Sequence, residues 1–279
     1  MPLTPSETRE VLAKIGHRPR KQLGQNFLVD GNIVKKSLLM SEVPQTRKLV
    51  EIGPGLGTLT EELLNQDYQV HAVEIDHRLM AYLQSRFSPW IEKKKLLLSE
   101  ADAVKVPTGY HLGPEHDFSV VANLPYAISS PWLEAVLGKE PIPESMTLML
   151  QKEAADRMWA KPGTKNYNAL SIFLHGSLQF ISSHPVSRNC FHPVPAVDSI
   201  LIHMERKSHP FLFPEDSRRL IRKIFTKRRK QMGAVIKQED SPVRESLDRW
   251  MEESNLPKSI RPEGISPDQW QKLAGLIPN

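Results

Sequence analysis

At 279 residues, 39% hydrophobic and 25% charged, the chain has soluble-globular composition and length for about two domains. No apolar stretch approaches the roughly 20 residues of a membrane span, and the N-terminus shows no apolar signal core, so a cytoplasmic protein is expected. The single Cys190 excludes an intrachain disulfide and a cysteine metal cluster, and the net charge of +5 is unevenly placed.

Residues 1–40 read as a basic arm, with Lys14-Ile15-Gly16-His17-Arg18-Pro19-Arg20-Lys21 at its centre, ending in a helix from about Gly31 to Met40. Strand and helix patterns then alternate. Lys48–Ile52 is strand-like and Thr58–Asn65 helix-like; Gln69–Ile75 is strand-like and His77–Phe87 helix-like. Lys95–Ser99, Phe118–Ala122 and Met146–Leu150 are further strands, and a helix follows around Glu153–Ala160. Such alternation predicts an α/β fold, a doubly wound Rossmann-like parallel sheet. Ser177–Ser182 and Ser199–Met204 resemble a terminal strand pair, and the pattern beyond Pro214 is helical and charged. The expected domains are the arm and helix at 1–40, a ligand-binding domain at 41–207 and a small helical domain at 208–279.

Four features at the ends of successive strands point to one crevice. The first strand runs into Gly53-Pro54-Gly55-Leu56-Gly57-Thr58. Glycines there let backbone approach a ligand, but Thr58 stands where the dinucleotide fingerprint needs its third glycine, so a nucleoside cofactor without phosphates fits better. Glu74 ends the second strand, where an acid meets ribose hydroxyls. Asp102 follows the third strand, within reach of an adenine amine. Asn123-Leu124-Pro125-Tyr126 ends the fourth. Pro125 stiffens that turn and takes it out of the sheet, which favours an accessible Leu124 carbonyl. The Asn123 side-chain oxygen and that carbonyl offer two acceptors to an exocyclic amine, and Tyr126 offers a ring to the planar base. Alone, the tetrapeptide reads equally well as a strand-to-loop turn. The series glycine loop, Glu74, Asp102, Asn123 favours the ligand crevice.

From Arg218 to Lys237 there are nine Lys or Arg and no Asp or Glu. An isolated run of this kind is usually a solvated helix face. Together with the basic arm it suits a polyanion. No metal site is expected, since the ten histidines are scattered.

Several motifs resemble those of the small-subunit ribosomal RNA adenine-N6,N6-dimethyltransferases. They are Lys21-Gln22-Leu23-Gly24-Gln25-Asn26-Phe27-Leu28, Val50–Gly57, Val73-Glu74-Ile75-Asp76, Asn123–Tyr126, Gln151-Lys152-Glu153, Phe191–Ser199 and Arg228-Arg229-Lys230. The resemblance extends from Arg20 to about Lys230. After Arg-Arg-Lys the family often continues Thr-Leu-Arg-Asn, whereas here Gln231-Met232-Gly233-Ala234 follows.

The resemblance implies an enzyme of ribosome biogenesis: a transferase that uses S-adenosyl-L-methionine to dimethylate N6 of two adjacent adenosines. These lie in a hairpin loop near the 3′ end of 16S rRNA. It implies cofactor contacts from Asn26, Leu28, Gly53, Glu74, Asp102 and Asn123. It implies catalytic roles for Asn123, Leu124 and Tyr126, with Phe191 as an opposite wall for the base and RNA contacts from Arg228, Arg229 and Lys230. The expected partner is small-subunit rRNA in a pre-ribosomal particle, met by a monomer with no membrane association. The rival readings are a large-subunit rRNA adenine methyltransferase of macrolide-resistance type, an assembly or transcription factor that kept the fold without the chemistry, and a nucleotide-dependent dehydrogenase, which Thr58 disfavours.

Overall fold

The computed structural model describes residues 3–43, 48–113 and 117–277. The chain divides into two compact units. One comprises the residues up to Ala155 together with Phe180–Arg206; the other comprises Asp156–Gln179 and the residues from Lys207 onward. The expected boundary at 208 therefore meets an earlier excursion, in which 156–179 joins the helical unit.

The first unit is organised by a seven-stranded sheet. Its strands are β1 Lys48–Ile52, β2 Gln69–Glu74, β3 Leu96–Glu100, β4 Phe118–Asn123, β5 Ser145–Gln151, β6 Leu178–Val186 and β7 Ser199–Arg206. The order across the sheet is β3-β2-β1-β4-β5-β7-β6. The β3-β2-β1-β4-β5 block is parallel, and β7 lies antiparallel to β5. The order reverses between β1 and β4, and a crevice opens beyond the carboxyl ends of strands at such a switch point. Near-continuous apolar sequence in β1, β2 and β4 matches strands covered on both faces; Leu49, Val70, Ala72 and Val121 lie in one core with Leu83 and Phe87.

Twelve helices appear among the described residues: α1 Pro5–Lys14, α2 Gly31–Ser41, α3 Thr58–Asn65, α4 His77–Arg86, α5 Ser88–Glu92, α6 Ser129–Val136, α7 Lys152–Met158, α8 Ala169–Ser177, α9 Glu215–Thr226, α10 Met232–Ile236, α11 Ser241–Glu253 and α12 Pro267–Ala274. The helix α1 inside the basic arm was not anticipated. Its start is nonetheless well specified: Glu7 N–H donates to the Thr4 hydroxyl at 3.3 Å, Thr4 N–H donates to the Glu7 carboxylate at 2.8 Å, and Pro5 follows the cap. Leu12 of α1 packs with Phe27, Leu56 and Leu79, which seats the arm on the glycine loop and α4.

In the second unit α8 is buried on nearly every side, so it carries no amphipathic stripe to announce it. The helix α9 buries Leu220, Ile221 and Ile224 against a core that includes Tyr167, Phe173, Trp250 and Trp270. At about 1.5–3 kcal/mol for each fully buried aliphatic side chain, that stripe outweighs the exposed ion pairs on the opposite face.

Candidate active site

The crevice beyond the carboxyl ends of β1, β2 and β4 encloses about 970 Å³, open mouth included. Its walls come from four places: the arm at 23–28, the glycine loop after β1, the ends of β2 and β3, and the Asn123–Ile128 segment.

Backbone geometry fixes the glycine loop. Gly53 has φ +64° and Gly55 φ +59°, in the left-handed region. A Cβ on Gly53 would lie 2.7 Å from Pro125 Cγ, and one on Gly55 would lie 2.9 Å from the Phe27 ring. These two positions bring three walls of the crevice within van der Waals contact, which is why glycine is required there.

Glu74 sits at the floor, 5% exposed. Its Oε1 accepts from the N–H groups of Ile75 (3.0 Å) and Asp76 (2.9 Å), and its Oε2 accepts from Gly55 N–H at 3.3 Å. Burial pushes its pKa up to about 7, against the pull of those donors. Glu51, at the end of β1, also lines the crevice. Its Oε2 accepts from the Thr60 hydroxyl at 2.6 Å, and burial, aided by the charge of Glu74, pushes its pKa up to about 8. The site thus holds two protonatable carboxyls in a poorly solvated floor. Such groups favour a ligand that brings hydroxyl donors or positive charge.

Asp102 lines the crevice beside Ala101 and Ala103. One of its oxygens accepts from Val104 N–H at 2.9 Å, which holds the side chain in place. Asn26 and Leu28 enter from the arm. Leu28 pairs with Phe191 in a short antiparallel ladder that also joins Phe27 to His192. Asn26 donates from Nδ2 to the Gly24 carbonyl at 3.2 Å.

On the opposite side, Asn123 donates from Nδ2 to the Asn26 backbone carbonyl at 3.1 Å. With the amide nitrogen so engaged, its oxygen is left to accept. Tyr126 begins a 3₁₀ turn over Tyr126–Ile128, and its hydroxyl lies 2.6 Å from Ser199 Oγ. Leu124 lies between them, its side chain buried and its residue on the crevice wall.

The arm is tied down at Asp76, which caps α4 by accepting from the N–H groups of Arg78 (3.0 Å) and Leu79 (3.4 Å). Burial opposes ionisation of Asp76. Those donors, with His17 at 3.7 Å and Arg20 at 3.6 Å, outweigh it and hold its pKa below the usual carboxylate value. The Gln25 side-chain oxygen lies 3.0 Å from His17 Nε2 and accepts from Arg20 N–H at 2.8 Å. Neither Glu51 nor Gln25 stood out as a site residue in the sequence, and both line the crevice.

Asn26, Leu28, Gly53, Glu74, Asp102, Asn123, Leu124 and Tyr126 therefore meet in one cavity. Phe191 does not. Its ring is 1% exposed and packs in the main core with Leu28 and Val121, so the expectation that it forms a wall for a base is corrected: pairing with Leu28 turns it inward. Arg228, Arg229 and Lys230 belong to the second unit, after the end of α9. Arg228 donates from Nη1 to the Lys165 carbonyl at 2.7 Å, with Glu263 at 4.0 Å; Arg229 and Lys230 are exposed.

The lining is chemically compatible with S-adenosyl-L-methionine: the Glu74 and Asp102 carboxylates can accept from hydroxyl and amine donors, and Gly53 and Gly55 leave space that a Cβ would fill. The fold and this crevice define a Rossmann-like sheet with a ligand site at its switch point.

Comparison with known proteins agrees. The family described as "Ribosomal RNA adenine dimethylase" matches residues 16–270. A ribosomal RNA small subunit methyltransferase A from Opitutus terrae is 47% identical over 275 residues, 98% of each chain. One from Geobacillus sp. is 34% identical over 284 residues, 98% of this chain and 97% of that one. A solved dimethyladenosine transferase from Plasmodium falciparum is 26% identical with a TM-score of 0.68, covering 88% of this chain and 95% of that chain. The solved 23S rRNA methyltransferase ErmE is 23% identical with a TM-score of 0.61, covering 90% and 99%; that likeness is one of fold. The chain belongs to the ribosomal RNA adenine dimethylase family.

Proposed function

We propose that this enzyme dimethylates N6 of two adjacent adenosines in a hairpin loop near the 3′ end of 16S rRNA during ribosome biogenesis. The observation that carries the chemistry is the hydrogen bond from Asn123 Nδ2 to the Asn26 carbonyl, which leaves the Asn123 oxygen as an acceptor beside the glycine loop. The choice of the small subunit rests on the relatives named above.

When bound, S-adenosyl-L-methionine supplies an electrophilic methyl on a sulfonium. Asn26, Leu28, Gly53, Glu74 and Asp102 would hold it, with Asn123 at the methyl end. The N6 lone pair is conjugated into the adenine ring and attacks poorly. The Asn123 oxygen and the Leu124 carbonyl accept from the two N6–H groups, draw them out of the ring plane and turn the lone pair toward the methyl. Tyr126 stacks on the unpaired or flipped base. Asn123 cannot remove a proton, so alignment carries most of the rate and the carbonyls stabilise charge developing on the amine. The transfer leaves a neutral thioether and a cationic N6, which sheds one proton to solvent; N6 then keeps a single N–H, so one acceptor loses its partner and the pocket must admit a methyl beside Tyr126.

Arg229 and Lys230 contact RNA phosphates in this reading, while Arg228 supports the loop that carries them. The enzyme works in the cytoplasm as a monomer on a pre-ribosomal small subunit. Among the described residues no helix is long and apolar enough to cross a membrane. The test is label transfer from S-adenosyl-L-methionine to separated, unmethylated ribosomal subunits. Dimethyladenosine in the small-subunit rRNA is the expected result. Methylation confined to the large subunit would overturn the substrate assignment in favour of the macrolide-resistance type.

A further inference from the structure

We infer that Ser199 is a positioning residue for methyl transfer: through its contact with the Tyr126 hydroxyl it fixes the aromatic platform on which the acceptor base lies. The inference rests on the function proposed above and adds to it a residue from a different part of the fold.

Tyr126 is fixed at its backbone end by the 3₁₀ turn, where Ile128 N–H donates to the Pro125 carbonyl at 3.1 Å. Ser129 Oγ donates to the Tyr126 carbonyl at 3.2 Å as well, so these bonds hold the root of the residue, and the hydroxyl offers a second hold at the far end of the ring. Ser199 Oγ lies 2.6 Å from it, and Ser199 is 2% exposed.

The anchor is itself rigid. Ser199 is the first residue of β7 and stands opposite Gln151 in the antiparallel ladder with β5. The residue before it is held twice: Lys152 N–H donates to the Asp198 carbonyl at 3.3 Å, and Arg188 N–H donates to the Asp198 carboxylate at 3.0 Å. Tyr126 thus spans from the end of β4 to the start of β7, and both ends rest on the sheet. A side chain held at its root and its tip keeps the direction of its ring axis. Burial raises the phenol pKa, so the hydroxyl keeps its proton and can share it with Ser199.

Such stiffness matters more for this reaction than for binding. The acceptor contributes no base, so the rate depends on alignment, and a misplacement of about 1 Å can cost on the order of a hundredfold. Loosening the platform should therefore lower the transfer rate while leaving the cofactor side of the crevice as it was.

The experiment is a double-mutant cycle with Ser199→Ala, Tyr126→Phe and the double variant, plus Ser199→Thr, which keeps the hydroxyl. Single-turnover label transfer is measured on both separated unmethylated subunits and scored on the one that accepts label. Cofactor affinity is measured by calorimetry and melting temperature alongside. Ser199→Ala and Tyr126→Phe should each slow transfer by about tenfold, the size of one hydrogen bond. The double variant should be no slower than either single, and Ser199→Thr should recover most of the rate, with cofactor affinity within about twofold of wild type throughout. Wild-type rate in Ser199→Ala, independent losses that multiply, or a parallel loss of cofactor affinity would each overturn the inference while wild type remains active. A wild-type enzyme that labels neither subunit would overturn the proposed function, and this inference with it.

Discussion

The crevice and the basic run after Pro214 were both prominent in the sequence, and they resolve in opposite ways. In the crevice, residues far apart in the chain converge, and their meaning comes from what holds each one: Asn123 by Asn26, Tyr126 by Ser199, Glu74 by three N–H groups. In the helical unit, much of the charge is spent internally. Arg218 and Arg222 pair with Glu215, Arg219 with Asp216, and Lys223 and Lys227 with Glu239. Those acids flank the run, so a count of charge from Arg218 to Lys237 overstates what RNA could meet. A motif gains from folding because its parts are aligned; a charge run loses because its neighbours neutralise it.

The comparison breaks first at Asn123. Asn123→Ala should lower methyl transfer by about a thousandfold or more while cofactor affinity falls only a few fold, because in the proposed mechanism it removes an acceptor aimed at the amine. Calorimetry beside single-turnover transfer checks this. Equal losses in both would mean that Asn123 serves the cofactor alone.

Glu74 gives the next largest effect. If ribose hydroxyls donate to its ionised form, as proposed, binding should lower its pKa from about 7 and release a proton. Cofactor affinity should therefore rise with pH up to about 7 and level off above it. Glu74→Gln should weaken affinity by roughly 10- to 100-fold, the worth of hydrogen bonds to a charged group, and flatten that slope. Calorimetry in two buffers of different ionisation enthalpy reads the proton directly. An unchanged slope in the variant would assign the proton elsewhere, with Glu51 the first alternative.

The basic run gives a smaller, sharper contrast. Charge reversal at Arg229 and Lys230 should weaken RNA binding about tenfold at moderate salt and shallow its salt dependence. Reversal at Arg219 and Lys223, whose partners are Asp216 and Glu239, should change RNA affinity less. Arg228→Ala should lower stability by about 1 kcal/mol through the lost bond to the Lys165 carbonyl, with little effect on the salt slope. Filter binding across a salt series and thermal melts separate the three. Equal salt slopes for the two reversals would mean that internal pairing does not decide which cations meet RNA.

How much was legible follows the same line. The parallel strands and the crevice were readable because β1, β2, β4 and β5 are short, mostly apolar runs, the first followed by Gly53 and the others ending in Glu74, Asn123 and Gln151, and the end of a parallel strand is where ligands sit. Glu51 was passed over as an ordinary motif position. The signal was present: a strand covered on both faces has no solvent side, so an acid in it must be buried. Phe191 was misplaced because its partner, Leu28, lies far back in the chain, and no local pattern encodes a two-residue ladder. Ser199 and Gln25 stood inside motifs without a role of their own for the same reason, since a serine hydroxyl or glutamine amide declares nothing until its partner is in view. Helix α8 was missed because burial on nearly every side erases the periodicity by which a helix is found.

The last prediction bears on why two acids share the floor of the crevice. Glu51 and Glu74 have folded pKa values of about 8 and about 7, above those of an exposed carboxyl in the unfolded chain. Between about pH 4.5 and 8 the folded state therefore binds more protons than the unfolded one, and stability falls as pH rises through that window. Asp76 has the opposite shift, so its contribution is gained as pH rises and is complete above the ordinary carboxylate pKa, below most of this window. The cofactor-free enzyme should lose stability on the order of a few kcal/mol from pH 5 to pH 8, and Glu51→Gln should remove part of that loss. Saturating S-adenosyl-L-methionine should reduce it as well, because its positive charge and hydroxyls favour the ionised carboxyls that the empty floor disfavours. Melting curves across pH, with and without cofactor, test both. A melting temperature that rises through this window without cofactor would show that the two acids are solvated and ionised in the folded state, and the electrostatic contrast between the crevice and the helical unit would fail with it.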